Sequence, residues 1–296
     1  GGESMGQVLR QEEYSEQINY LDILHSDSKG WITKAEINCG YKQWHYRYNE
    51  LLEQDFNQEN VYISINTFYS TFRRLEYIKE LKAQFIDLDI YKTGFTKEQI
   101  IMHLEADYFN KSIPRPNLII DSGRGLYLIW LLNSVPSKAL PLWKAIEEYL
   151  YSVLKPFGAD RQALDPTRIL RVPGSINSKS KTTVKVIEQY DYIYDLREIQ
   201  NEYLPELEER KAKKKGRPSK TVFIHRERSL YYARIQDIIK LCELREYDLK
   251  GHRELILFLY RYYLCYFLED TQKALGDVLE LNREFIYPLS ETEVIR

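Results

Sequence analysis

Apolar and polar residues alternate in the middle of the chain, and the alternation predicts a strand with two acids on one face. From Ile86 to Ile90 every second residue is apolar, so Asp87 and Asp89 share the opposite face. Gly94 is expected to break this strand, which we place at 84–91. The sequence therefore predicts a pair of neighbouring carboxylates presented by one strand.

The pattern after Gly94 predicts two helices and four further strands. Thr96 and Gln99 form a capping box, and Ser137 is a candidate cap for a second, more apolar helix. Turn residues at 121–125 separate two apolar runs, which predicts a hairpin. The expected elements are a helix from Thr96 to about Phe109, strands at 117–120 and 126–132, a helix from Ser137 to about Pro156, and strands at 168–172 and 183–187.

Counted from the strand at 84–91, the first six of these elements follow the order β-α-β-β-α-β, which is that of ferredoxin-like and RNA-recognition-motif folds. Upstream, a strand at 61–65 and a helix at 71–81 predict an additional N-terminal α/β layer. From residue 226 onward the spacing of apolar residues is helical. The expected fold class is therefore α/β (α+β), with an RNA-recognition-motif-like core, an extra N-terminal α/β layer and a small all-helical domain after them.

Composition divides the chain into four expected segments. Residues 1–6 begin Gly-Gly-Glu-Ser and are expected to be a cloning remnant. Residues 7–205 are expected to form the α/β domain, residues 206–225 a basic linker, and residues 226–296 the helical domain. The terminal sequence Ser-Glu-Thr-Glu at 290–293 is a capping box with almost no helix behind it, which predicts a longer natural protein.

The overall composition is that of an ordinary globular protein and argues against several classes of site. Hydrophobic residues make up 44% of the 296 residues and charged residues 29%. The three cysteines are far apart, which argues against a disulfide framework or a zinc site and favours a reducing cytoplasm. The most apolar run, residues 255–268, contains Arg261 and is too short to span a bilayer, so no membrane partner is expected.

Charge is unevenly distributed along the chain. The formal net charge is −2, so no global basic field indicates nucleic acid. Between Arg161 and Lys185, however, there are six basic residues and one acid, Asp165. Between Arg210 and Lys220 there are seven basic residues and no acid. Such local basic stretches are what binding to a phosphate backbone requires.

The pair Asp87 and Asp89 is the first candidate for chemistry. Unpaired, the two carboxylates would repel one another, and two divalent cations roughly 3.5–4 Å apart would relieve the repulsion and could clamp a phosphoryl displacement. The alternative is a pair of solvated acids at a strand end.

Two further segments supply residues suited to a triphosphate. In the hairpin turn, Gly123 and Gly125 let the backbone approach a ligand closely, and Ser122 or Arg124 could add contacts. Residues 160–179 place acids before a strand with two arginines, followed by a Pro-Gly turn. Arginine and lysine there would neutralise phosphate charge. The alternatives are an ordinary hairpin and an ion-paired strand edge.

Together, the three segments resemble the archaeo-eukaryotic primase superfamily, which includes primase-like replication proteins of plasmids and other mobile elements. The matching features are a strand ending in Asp-x-Asp (85–89), a Ser-Gly-x-Gly element (122–127), and an Asp-x-x-Arg-x-x-Arg-x-Pro-Gly-Ser run ending in lysine (165–179), preceded by Ala-Asp at 159–160. The resemblance covers roughly residues 60–190, and the third run is its most specific part.

The resemblance implies a DNA-templated nucleotidyltransferase with a two-metal site for Mg²⁺ or Mn²⁺. Asp87, Asp89 and Asp160 are implied as catalytic metal ligands, and Asp165 is the alternative third carboxylate. The implied partners are a single-stranded DNA template and nucleoside triphosphates, with a helicase or a replication initiator as further candidates. The implied nucleotide-binding residues are Ser122, Gly123, Arg124, Gly125, Tyr127, Arg168, Arg171, Asn177 and Lys179.

Two positions depart from the superfamily pattern and keep other functions open. Tyr127 stands where the family usually has histidine, and Asn177 stands where cellular primases carry another histidine. These departures leave open a replication initiator that binds origin DNA with a degenerate primase fold. A metal-dependent nuclease on the same carboxylates is a third hypothesis.

The basic linker is a separate candidate for DNA contact. Lys215-Gly-Arg-Pro218 resembles the core of an AT-hook, which can lie in a narrow minor groove. The expected DNA-binding residues are Lys213, Lys214, Lys215 and Arg217.

Overall fold

The computed structural model describes residues 16–204 and 220–295, and these divide between two compact units. The first unit ends at Pro205 and the second begins at Glu206. Within the described ranges, no helix is both long enough and apolar enough to cross a membrane.

The first unit is a mixture of strands and helices. Its strands are β1 (Ile32–Ile37), β2 (Tyr41–Tyr46), β3 (Val61–Ser64), β4 (Thr67–Phe68), β5 (Ile78–Leu88), β6 (Leu118–Asp121), β7 (Leu126–Pro136), β8 (Ile169–Arg171), β9 (Ile176–Asn177), β10 (Thr182–Thr183) and β11 (Lys185–Gln189). Its α-helices are α1 (16–25), α2 (Tyr48–Leu51), α3 (Lys97–Asp107), α4 (Leu140–Leu154) and α5 (Leu196–Tyr203).

The strands form two main sheets and a short ribbon, with antiparallel pairing between neighbouring strands. The five-stranded sheet has the order β11-β6-β7-β5-β4, and the four-stranded sheet has the order β2-β1-β3-β8. Strands β9 and β10 form the ribbon. The expected mixed α/β class with helices packed on sheets is therefore what the first unit has.

Helix α4 packs on β5 and covers the middle of the five-stranded sheet. The rings of Phe85 and Trp143 lie 5.8 Å apart, and the Trp143 indole donates a hydrogen bond of 2.9 Å to the carbonyl of Ala83. Ile146 and Leu150 are fully buried on the same helix. Each such side chain contributes roughly 1.5–3 kcal/mol by leaving water. This packing fixes the strand that carries Asp87.

The strand order differs from that of an RNA-recognition motif. In the split β-α-β arrangement the last strand lies beside the first, whereas here β11 lies beside β6 and β4 lies beside β5. The strand expected at 168–172 is present as β8, but it pairs with β3 in the other sheet. The segment after α4 therefore crosses from one sheet to the other.

Several expected elements have different bounds. The helix expected at 71–81 is wrong, because only Leu75–Tyr77 forms a short 3₁₀ turn and β5 already begins at Ile78. The capping box of Thr96 and Gln99 is confirmed at the start of α3. Ser137 does not cap α4, because a 3₁₀ turn at Ser137–Ala139 comes first.

The described part of the second unit is helical. It contains α6 (Lys220–Leu244), α7 (Arg253–Leu268), α8 (Thr271–Glu284) and α9 (Glu291–Ile295). Helix α6 begins before residue 226, so the expected basic linker extends too far at its C-terminal end. Asp270 caps α8 by accepting from the N–H groups of Gln272 and Lys273.

Candidate active site

Asp87 and Asp160 are brought together at the end of β5. Asp87 is the penultimate residue of β5, and residues 158–160 run along the continuation of this strand. The N–H of Asp160 donates to the carbonyl of Asp87 at 2.9 Å, and the N–H of Asp89 donates to the carbonyl of Gly158 at 2.8 Å. Two of the expected acids from distant parts of the sequence are therefore neighbours.

Burial raises the pKa of the Asp87 carboxyl to about 7. The positive charges of Arg168 and Arg171 oppose this shift, and the negative charges of Asp89 and Asp160 add to it. Arg168 lies 4.0 Å from the carboxylate of Asp160. The cluster thus combines an enclosed acid, two further carboxylates and two arginines that only partly balance them.

Asp89 lies just beyond the end of β5 and pairs with Lys92. Its backbone angles, φ −78° and ψ 69°, end the strand, and residues Ile90–Lys92 form a 3₁₀ turn. The strand expected to reach residue 91 therefore stops at Leu88. The Lys92 ammonium donates to the Asp89 carboxylate, which directs that carboxylate to a partner within its own turn.

The donor set suits a hard divalent cation but is not fully assembled. Among the described residues, no group of three His, Cys, Asp or Glu side chains is arranged to hold a metal ion. Asp87 and Asp160 supply the oxygen ligands that Mg²⁺ and Mn²⁺ prefer, beside an excess of negative charge that a cation would neutralise. Asp89 would complete the set after leaving Lys92. The residues therefore fit the ion as two adjacent carboxylates and a third that is held nearby.

Tyr127 lies directly across from Asp87 on the neighbouring strand β7. It is only 3% exposed, and its burial and the Asp87 carboxylate raise the pKa of its hydroxyl well above the ordinary range. The positive charge of Arg171 lies close enough to oppose this shift, and its guanidinium lies 4.9 Å from the centre of the Tyr62 ring. Tyr127 therefore lies between an acid of β5 and an arginine of β8.

The tip of the β6–β7 hairpin packs tightly against its neighbours. A Cβ atom on Gly125 would lie 2.0 Å from the carbonyl oxygen of Leu88, so only glycine fits against the end of β5. Gly123 has φ +98° and lies against the loop after β9. The side-chain amide of Asn177 donates to the carbonyl of Ser122 at 2.6 Å. Close packing therefore explains glycine at position 125, and a positive φ explains glycine at position 123.

The remaining candidates occupy different surroundings. The carboxylate of Asp165 accepts from the N–H and the hydroxyl of Thr167, within its own turn. Arg124 is exposed and lies 3.9 Å from the ring centre of Tyr91. Lys179 is exposed in the turn between β9 and β10. Of the two candidate third acids, Asp160 is the one hydrogen-bonded alongside Asp87.

The four expected DNA-binding residues, Lys213, Lys214, Lys215 and Arg217, lie outside the described residues. Within the described ranges, two residues of the cluster had not been expected from the sequence. Tyr62 comes from β3 in the other sheet, and no local pattern links it to Asp87. Lys92 could have been found, because it follows Asp89 by three residues within one turn.

Comparison with known proteins gives one close relative and one distant structural neighbour. No family model matches the chain. The AEP domain of the cyanophage S-2L primase-polymerase aligns with 64% of this chain and 97% of its own length, at 16% identity and a TM-score of 0.47. This similarity is too low to decide the fold, which follows from the chain's own strand order.

A replication protein of Clostridium perfringens is 71% identical over 279 residues, which cover 94% of this chain and 68% of the relative. Identity at this level over nearly the whole chain means that the chain belongs to the same family as that replication protein.

Proposed function

We propose that this chain is a DNA-templated nucleotidyltransferase of the primase-polymerase type, acting in the replication of a plasmid or mobile element. The observation that carries the proposal is the backbone pairing that holds Asp160 beside Asp87, with Asp89 next in the chain and two arginines facing them. The replication role is supported by the C. perfringens relative, which is called a replication protein.

Each residue of the cluster has a role in this proposal. Asp87, Asp89 and Asp160 would hold Mg²⁺ or Mn²⁺. When bound, a pair of such ions lowers the pKa of a primer 3′-hydroxyl and stabilises charge on the triphosphate. Arg168 and Arg171 would neutralise the negative charge of the nucleotide, and Tyr127 lies beside Arg171.

Asparagine variants of the acids test the proposal. The wild type is incubated with single-stranded template, labelled nucleotides and Mg²⁺ or Mn²⁺. Because Asp87→Asn/Asp89→Asn keeps the shape of both side chains and removes their charge, we expect incorporation to fall by more than about 100-fold. Asp191→Asn, which changes an exposed acid after β11, is the matched control and should incorporate like the wild type.

Two other outcomes would contradict the polymerase proposal. Equal incorporation by the wild type and the double variant would show that the acids do not act in catalysis. Template cleavage that requires Asp87 and Asp89 would replace the polymerase proposal with a nuclease.

A second candidate, a replication initiator that binds origin DNA, is favoured by one observation. The residue at the usual histidine position, Tyr127, is only 3% exposed and lies beside Asp87 and Arg171, so its hydroxyl is enclosed within the protein. This candidate predicts tight duplex binding with no incorporation under either metal. The affinity for duplex DNA should then depend less steeply on salt concentration when Lys213, Lys214, Lys215 and Arg217 are replaced by glutamine.

A further inference from the structure

One face of the four-stranded sheet carries polar and aromatic side chains of β2, β3 and β8, with the small, buried Ala35 of β1 between them. Because side chains alternate along a strand, Tyr41 and Gln43 of β2 share a face, and Lys42 and Trp44 share the other. The strand pairing places Gln43, Ala35, Tyr62 and Arg171 opposite one another across β2, β1, β3 and β8. We call this side the Arg73 face, after the arginine that lies over it.

Arg73 is bound there by neutral acceptors. Its guanidinium donates to the Thr167 carbonyl at 2.6 Å, to the Tyr41 hydroxyl at 3.0 Å and to the Gln43 side-chain oxygen at 3.4 Å. No ion pair joins Arg73 to a carboxylate among the described residues. Its positive charge is therefore fixed in position and not balanced by an acid, and it is still half-exposed.

Tyr41 presents its ring to solvent while its hydroxyl is held. The hydroxyl donates to Gln43 at 2.6 Å and accepts from Arg73, and the guanidinium lies 6.0 Å from the ring centre. The side chain is 48% exposed, although both hydrogen bonds restrict its rotation. Such a ring is a preorganised surface for stacking, because little conformational entropy remains to be lost.

The Arg73 face lies next to the candidate active site at its β3 and β8 end. Tyr62 in the same row contacts Arg171, and both are close enough to Asp87 to interact with its charge. Three inter-strand steps separate β8 from β2, a distance of about 14 Å. That length accommodates a short stretch of extended polynucleotide leading away from the acids.

We infer that the Arg73 face binds the single-stranded template beside the active site, with Arg73 contacting a phosphate and Tyr41 stacking on a base. The inference rests on the proposed function and extends it to residues outside the matching motifs. A fixed cation without a carboxylate partner suits a phosphate, and an exposed ring stacks on any base. A strand held in this way would place its next nucleotide beside Asp87.

Binding of a fluorescent single-stranded oligonucleotide of about 16 nucleotides, measured by anisotropy with EDTA present, tests the inference without catalysis. Tyr41→Ala should weaken binding by about 10-fold, because a stacking contact is lost. Arg73→Gln should weaken binding and reduce the slope of log K against log salt by about 0.7, the value for one phosphate contact.

Matched controls come from the opposite face of the same strand. Trp44→Ala removes an exposed ring and Lys42→Gln removes a charge, and both should bind like the wild type. Circular dichroism checks the fold of Arg73→Gln, and Tyr41→Ala provides an independent test because Tyr41 is at the surface.

Two outcomes would overturn the inference: a wild type that does not bind single-stranded DNA, or Tyr41 and Arg73 variants that bind no more weakly than the controls.

Incorporation of nucleotides is measured in parallel, to separate this inference from the proposed function. If binding depends on Tyr41 and Arg73 but incorporation does not depend on Asp87 and Asp89, the template surface stands and the polymerase proposal fails. If incorporation depends on the acids but not on Tyr41 or Arg73, the polymerase proposal stands and the template surface fails.

Discussion

At the scale of single residues, the carboxylate of Asp89 is paired with a lysine of its own turn. Lys92 follows Asp89 by three residues and donates to its carboxylate. This hydrogen bond raises the pKa of the Lys92 ammonium, so Lys92 keeps its positive charge near neutral pH. A cation bound by Asp87 and Asp160 would have to displace Lys92 before it could use Asp89.

Replacing Lys92 by glutamine should therefore increase the affinity for Mn²⁺. Because an exposed ion pair contributes roughly 0.2–1 kcal/mol, we expect an increase of about 1.4- to fivefold. Titration with Mn²⁺ followed by electron paramagnetic resonance measures the free ion and does not depend on activity. Lys138→Gln removes an exposed lysine near the opposite end of β7 and is the matched control. An affinity equal to that of the control would contradict a role for Lys92 in restraining Asp89.

The sequence left the choice between Asp160 and Asp165 open for a physical reason. Both acids precede β8, and their spacing alone does not reveal which of them lies beside β5. The backbone hydrogen bond from Asp160 to Asp87 connects residues far apart in sequence, whereas Asp165 closes a local turn with Thr167. The alternation of apolar residues predicted the strand of Asp87, but not the contacts that place a second acid beside it.

At the scale of secondary structure, β5 was only half predicted, because charged residues are buried in its first half. Glu80 accepts from the N–H groups of Lys29 and Gly30, and Lys82 pairs with Asp27. These partners lie about fifty residues earlier in the chain, so a local pattern of leucine, glutamate and lysine indicated a helix. Alternation became visible only from Ile86, where the strand approaches the candidate site.

The hairpin between β6 and β7 depends on glycine at position 125. An alanine there would place its Cβ 2.0 Å from the carbonyl oxygen of Leu88, which is backbone and cannot rotate away. We expect Gly125→Ala to lower the free energy of unfolding by about 3 kcal/mol, because the end of β5 or the hairpin must move. Urea unfolding measures the change.

Gly276→Ala in α8 is the contrasting control. Gly276 is an exposed residue inside a helix, and a Cβ there would meet no atom within 4 Å. Alanine should therefore stabilise the protein, by roughly 0.5–1 kcal/mol. If both substitutions were neutral, close packing of the hairpin against β5 would be contradicted.

At the scale of the whole molecule, fold and charge are organised by contacts between distant segments. The resemblance to primases indicated the Asp-x-Asp strand, the hairpin and the basic run, and these segments were expected in one sheet. The run at 160–179 instead crosses to the sheet that carries β8, so the acids and the arginines of the cluster come from two sheets. Periodicity identifies strands, but it does not specify which strands pair.

Helix α1 is joined to β3 by a buried histidine, which links stability to pH. His25 is fully buried, and its Nε2 lies 2.9 Å from the Ser64 carbonyl, so this nitrogen must carry the proton and donate. Its Nδ1 lies 3.1 Å from the Ser28 hydroxyl and therefore accepts from it. Burial lowers the pKa of His25 to about 3, from an ordinary value of about 6.5.

A histidine that stays neutral in the folded protein makes the protein less stable as the pH falls, because only the unfolded chain takes up the proton between about pH 6.5 and pH 3. Between about pH 7.5 and pH 5 this effect should cost the wild type roughly 2 kcal/mol. At about pH 7.5 His25→Gln should be the less stable protein. Because glutamine cannot take up that proton, the difference in stability should shrink by the same amount at about pH 5. Urea unfolding at the two pH values measures the stability of each protein.

His103→Gln, at an exposed position of α3, is the control and should keep the wild-type pH dependence. A difference between His25→Gln and the wild type that stayed constant with pH would mean that His25 is protonated in the folded protein as readily as in the unfolded chain.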